Sequence, residues 1–133
     1  MTRNGMLTIQ SRFSARETID RAAAKAATLG LHVFARIDHS VGASKAGLPL
    51  RPTELLLFGN PKEGTPLMQD RQSAGLDLPS KMLAWEDVDG NVWLSCNETT
   101  WVAQRHGLGE QSAAAVAALE ADTVAIARHA TQG

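Results

Sequence analysis

Residues 51 to 97 constrain the fold more than any other part of this chain. Three apolar extended runs, at 55–58, 81–86 and 91–95, are separated by a Pro- and Gly-rich loop and by Asp89-Gly90. Asp-Gly between apolar runs is a strong hairpin signal, because both central residues of a type I′ turn take positive φ. A two-residue turn sets Val88 opposite Asn91, Asp87 opposite Val92, Glu86 opposite Trp93, Trp85 opposite Leu94 and Leu83 opposite Cys96. Because side chains alternate across a strand, one face then carries Leu83, Trp85, Val92, Leu94 and Cys96. The reverse face carries Met82, Ala84, Glu86, Trp93 and Ser95. The first set reads as core.

The flanking elements follow from local signals. Met6–Ser11 reads as a first strand. Ser14 and Glu17 form a capping box, Ile19, Ala22, Ala23, Ala26 and Leu29 recur at helical spacing, and Gly30 supplies the stop. Leu31, Val33, Ala35 and Ile37 alternate with His32, Phe34, Arg36 and Asp38, which assigns the first set to the core. Pro52 opens a strand through Phe58, and the consecutive Leu55, Leu56 and Leu57 make both its faces apolar, as in a central strand. Within the long connection 60–79, Thr65-Pro66 reads as a helix start and Gly75 as its stop. Asn97 is a candidate N-cap for a short helix over 98–106 ended by Gly107. An alanine-rich helix from about residue 112 buries Val116, Leu119, Thr123, Ile126 and Ala130. These elements give an α+β domain over 1–133, with loose ends at 1–5 and 131–133. Its helices lie on one face of a mainly antiparallel, twisted sheet of about five strands.

At 133 residues the chain is long enough for one self-sufficient core. A net charge of −1 without a basic block argues against nucleic acid or anionic lipid as a partner. The lone Cys96 forms no internal disulfide, and no Cys/His spacing matches a zinc site. No apolar run reaches the ~18 residues of a membrane span, and the first residues lack a signal-peptide core. The simplest expectation is a cytoplasmic protein that holds no metal.

Several runs resemble a known family: Phe34-Ala-Arg-Ile-Asp-His-Ser, Arg51-Pro-Thr-Glu-Leu-Leu-Leu-Phe-Gly-Asn-Pro, Gly64-Thr-Pro-Leu-Met, and Leu78-Pro-Ser-Lys-Met-Leu-Ala-Trp-Glu-Asp. With Val92-Trp-Leu-Ser and Arg105-His-Gly-Leu, they are similar to the prokaryotic domain of unknown function 302. The resemblance spans about residues 6 to 130. It implies a TATA-binding-protein-like topology and a homodimer, and it implies no reaction, substrate or cofactor. Cys96 stands where the family pattern carries an aromatic residue, which weakens any mechanism that needs a thiol.

Candidate chemistry is sparse. The run Gly59 to Thr65 is no phosphate loop, because Thr65 stands in the lysine slot and Pro66 lacks an amide. Lys62 near a helix start is a candidate anion ligand. Asp38-His39, at a strand end entering a glycine-bearing loop, is a candidate acid/base pair, although neighbours on a strand point to opposite faces. Arg36 and Glu54 are candidate ligand-binding residues on a sheet face shared with His32 and Glu86. Phe34, Met82 and Trp93 are the candidate dimer contacts of that face. Buried between Leu83 and Leu94, Cys96 reads as core. Arg105-His106-Gly107 suits a helix C-terminus. The expectation is therefore a homodimeric binding module for a small ligand or partner, with an Asp38/His39 enzyme as the alternative.

Overall fold

Five strands form one sheet in a computed structural model that describes residues 4–133. They are β1 (Met6–Ser11), β2 (His32–Asp38), β3 (Thr53–Gly59), β4 (Ser80–Glu86) and β5 (Val92–Asn97). Their order is β1-β5-β4-β3-β2, and every neighbouring pair is antiparallel. The helices are α1 (Ala15–Thr28), α2 (His39–Lys45), α3 (Pro61–Asp70), α4 (Thr99–His106) and α5 (Ala113–Gln132). Helix α1 carries the chain from one sheet edge to the other and packs beside α5 on one face, with α3 and α4 against α5. The α+β layout expected from the sequence is the one observed.

Local chemistry explains α1. The Ser14 hydroxyl accepts the Glu17 amide at 3.1 Å, and Gly30 takes φ 77° just past the last turn. The stripe of Ala15, Ile19, Ala22 and Ala26 is buried against Leu56, Phe58, Met82, Leu94 and, from α5, Ile126 and Ala130. Small alanines let α1 approach the sheet and α5 closely. A second cluster joins Leu67, Ala74 and Leu119 beneath α3.

The β4–β5 hairpin departs from the expected register by one residue. The Asp87 amide donates to Asn91 O at 2.8 Å, and the Gly90 amide to Asp87 O at 3.1 Å, with Gly90 at φ 85°. Val88, Asp89 and Gly90 are therefore a three-residue loop, a type I turn followed by a left-handed glycine. Asp87 explains the choice. Its carboxylate accepts the amides of Asp89 and Asn91, each at 2.9 Å, and the Trp93 indole N–H at 2.8 Å. Trp85 consequently pairs with Trp93, and Met82 with Cys96. Val92, Leu94 and Cys96 are core as expected, but β4 is reversed: Met82 and Ala84 are fully buried, and Leu83 and Trp85 lie on the open face. Met82 therefore leaves the candidate dimer face.

A register shift between Val33 and Ala35 likewise reverses β2. The reversal begins after the shift: Leu31 is buried and Val33 still pairs with the core residue Phe58, but Ile37 pairs with Leu55 and is 41% exposed, whereas Arg36 pairs across to the core residue Leu56. Helix α3 also starts earlier than expected. Asn60 accepts the Lys62 amide at 2.9 Å and Pro61 occupies the first turn, leaving Pro66 inside the helix. Asn97 belongs to β5, and the first amide of α4, on Thr99, is capped instead by Glu120 of α5 at 2.9 Å.

Residues 1–3 lie outside the described residues, but Gly5 is buried against Trp101 and its carbonyl accepts the Glu98 amide at 2.7 Å. At the other end α5 runs through Gln132, with Thr131 fully buried.

Candidate ligand-binding site

The candidate residues of β2 and β3 come together, but as a clasp. Arg36 donates to Glu54 Oε2 at 2.9 Å through Nε and 2.8 Å through Nη2, and reaches Asp20 of α1 at 2.7 Å. Arg16 of α1 meets the other Glu54 oxygen at 3.2 Å and Asp38 at 3.4 Å. Glu54 is only 5% exposed, so both its oxygens are committed to cations that tie α1 to the sheet. These residues face the helices, not the open face expected for them. Asp38 is also the N-cap of α2: Ser40 Oγ donates to it at 2.6 Å and the Val41 amide at 3.0 Å. Those two bonds hold its carboxyl below the usual carboxylate range. His39 is exposed in the first turn of α2, and no Asp38–His39 couple forms.

A largely apolar concavity lies where β3 hands over to α3. Phe58 and Gly59 end the strand, Asn60 caps the helix, and the returning chain enters β4 through Leu78, Pro79 and Ser80. Between these turns, α3 and α5 is a cavity of about 250 Å³. Phe34, Pro61, Met68, Leu78, Pro79 and Leu119 give it an almost wholly apolar wall, and Asn60, Thr65 and Ser80 supply its polar groups. Gly59 and Gly64 keep two backbone segments bare on that wall. Phe34 closes it from β2, and Lys62 is not among its lining residues. Among the described residues no cluster of three or more His, Cys, Asp or Glu could hold a metal.

Cys96 is buried, and burial pushes its thiol up to about 11, with Glu120 and Glu98 adding to the rise. A thiol held protonated in this way is a poor nucleophile.

The sheet face away from the helices presents a second surface. Strand pairing aligns Ile37, Leu55, Leu83 and Ser95 in one row, and Trp85 beside Trp93 in the next. The indoles lie with centroids 6.3 Å apart, and Trp85 donates to Ser95 Oγ at 2.9 Å. Lys81 is the one charged side chain that this pairing places there among the described residues, and its ammonium donates to Pro79 O at 3.0 Å. Helix α2, next to the edge strand, has no buried residue, and Val41, Leu48 and Leu50 on it and the following loop are exposed.

Two polar clusters were not legible in the sequence. His106, at the end of α4, lies between Ser73 and Asp77 of the 3-10 turn Gln72–Asp77, with Ser73 Oγ 2.9 Å from Nδ1 and Asp77 Oδ2 2.5 Å from Nε2. Glu63 of α3 faces Asp122 of α5, and burial, reinforced by Asp122, pushes the Glu63 carboxyl up to about 7. Residues this far apart in the chain carry no local spacing signal.

The domain described as "Domain of unknown function DUF302" matches residues 7–126. The crystal structure of an uncharacterised conserved DUF302 protein from Bacillus stearothermophilus superposes with TM-score 0.83 at 18% identity, covering 95% of this chain and 98% of that one. Among curated proteins, "Fluoride-specific ion channel FluC 1" of Brucella suis is 52% identical over 127 residues, 96% of this chain and 50% of that protein. The protein of the same name from Brucella abortus is also 52% identical, with 47% of its length covered. The chain thus spans about half the length of the curated relatives it matches.

Proposed function

We propose that this chain, which belongs to the DUF302 family, is a homodimeric binding module that holds a small apolar molecule in the cavity between β3, α3 and α5. The cavity is the observation that carries this reading. An apolar cavity of about 150 Å³ is enough to bind benzene. The 250 Å³ here suits one ring with substituents or a short acyl chain. Its apolar wall would supply affinity through burial, and the Asn60 amide with the Thr65 and Ser80 hydroxyls would orient a single polar substituent.

The second copy belongs on the open sheet face. The face carries few charges, Lys81 and at its margin the Asp87 carboxylate that holds Trp93, and stacked sheets pack about 10 Å apart with interdigitating side chains. A single unpaired cysteine suits a reducing, cytoplasmic setting.

Titration with indole, followed by backbone amide shifts, tests the cavity. Shifts should concentrate at Phe34, Gly64, Met68 and Leu119. Gly64→Leu should abolish them while preserving the fold, since a Cβ at Gly64 meets only Leu78, at 3.7 Å, and a longer side chain enters the cavity. Equal indole shifts in both proteins would refute the assignment.

A second reading is favoured by the 52% identity to proteins named as fluoride channels. We place channel activity in the half of those proteins that this chain does not match. Here, among the described residues, no helix is long and apolar enough to cross a membrane. On that reading the domain is an accessory of the channel, and fluoride itself should not bind it. Broadening of the fluoride ¹⁹F signal by this chain would overturn that placement.

A further inference from the structure

The geometry points to a hydrolytic site for carboxylic esters at Ser73, His106 and Asp77, outside the apolar cavity. Ser73 Oγ lies 2.9 Å from His106 Nδ1, and His106 Nε2 lies 2.5 Å from Asp77 Oδ2. An ionised carboxylate only accepts hydrogen bonds, so in the neutral imidazole the proton sits on Nε2 and the Nδ1 lone pair faces the serine hydroxyl. That is the arrangement in which a histidine serves as general base to a serine nucleophile, recognised by geometry and not by chain order. The serine is joined here to the δ nitrogen. Either ring nitrogen can take the proton, provided the other is held by an acceptor.

Three further features fit the role. The His106 side chain is 6% exposed and that of Asp77 13%, so the relay is shielded while Ser73 lies on the exposed side. Arg105 fixes the carboxylate by reaching Asp77 Oδ1 at 3.1 Å and Oδ2 at 3.2 Å, which sets the orientation of the imidazole in turn. Arg71 Nε stands 4.0 Å from where a Cβ on Gly107 would lie, which puts a cation beside the residue that follows His106.

The step balances without a co-reactant beyond water. Ser73 Oγ bonds to the ester carbonyl carbon as its proton moves to Nδ1. The carbon–oxygen bond to the alcohol breaks, and the departing oxygen takes that proton. Water then attacks the acyl-serine through the same nitrogen, releasing the acid and restoring the hydroxyl.

Incubation with a fluorophosphonate, read by intact mass and peptide mapping, tests the site, with p-nitrophenyl acetate hydrolysis as the second readout. One adduct on Ser73 is expected, absent from Ser73→Ala, and labelling more than about tenfold slower in His106→Gln, in keeping with the loss of a general base. Ser73→Ala leaves the His106–Asp77–Arg105 contacts intact, so its fold should survive and its ester hydrolysis should fall to the buffer rate. No adduct on wild-type protein, an adduct elsewhere, or equal hydrolysis by Ser73→Ala would each overturn the proposal and leave these residues as a clasp between the 3-10 turn and α4.

Discussion

Replacing Glu63 with Gln should stabilise the protein above neutral pH and leave it nearly unchanged in mild acid. Glu63 sits in the first turn of α3, its Oε1 is buried without a hydrogen-bond partner, and Asp122 of α5 faces it. Burial first, then the hydrogen bond and charge of Asp122, raise its carboxyl from 4.5 to about 7. Between those values the folded protein binds a proton that the unfolded chain has lost. Stability therefore falls as pH rises through that window and levels off above about 7.

At about 1.36 kcal/mol per pH unit, the rise from 4.5 to about 7 corresponds to an upper bound near 3.4 kcal/mol. Part of the side chain remains in water, and a carboxylate in a helix first turn is itself favoured by about 0.3–1 kcal/mol. Both effects reduce the net gain from Gln to roughly 1–2 kcal/mol, or a melting temperature about 3–8 °C higher for a domain of this size. Urea unfolding of both proteins in buffers from about pH 5 to pH 8 reads the difference directly. The wild type should lose stability across the series while the Gln variant stays flat. Parallel profiles, or a Gln variant less stable at the alkaline end, would refute the carboxyl-pair argument.

Gly5→Ala should cost roughly 2–4 kcal/mol, combining left-handed strain with overpacking. Gly5 has φ 70°, and an added Cβ would stand 2.0 Å from Trp101 Cγ, so thermal melts should show a loss beyond ordinary surface substitutions. Cys96 should react slowly with a colourimetric disulfide reagent in native buffer and at the free-thiol rate in guanidinium, because burial pushes its thiol up to about 11; equal rates would show an open core. Leu83→Arg, at the centre of the open sheet face, should convert a dimer to a monomer in sedimentation equilibrium without changing the far-ultraviolet spectrum. A wild type that sediments as a monomer at every concentration would exclude the second copy from that face.

What the sequence disclosed depended on how far each signal reached along the chain. Helix α1 is specified within itself, by Ser14, Glu17, the alanine stripe and Gly30, so its bounds could be read directly. The five-strand antiparallel architecture also followed from local apolar runs and turns. Facing was harder, because a single residue reverses it. Asp89-Gly90 correctly marked the turn, but the Asp87 carboxylate gathers two amides and an indole and so favours a loop one residue longer. That longer loop moves Met82 into the core and Trp85 to the open face. The bulge at Phe34 does the same to β2, turning Arg36 toward α1 and Glu54.

The clusters around His106 and Glu63 join residues 29 or more apart in the chain, so no spacing pattern records them. The cavity has a similar origin. Its wall is drawn from β2, both ends of the β3–β4 connection and α5. None of these segments looks unusual alone, and the cavity forms only where the fold brings them together. Alternation and propensity thus select the layers of such a domain, while side-chain capping at Asp87, Asn60 and Asp38 decides which residues each layer presents.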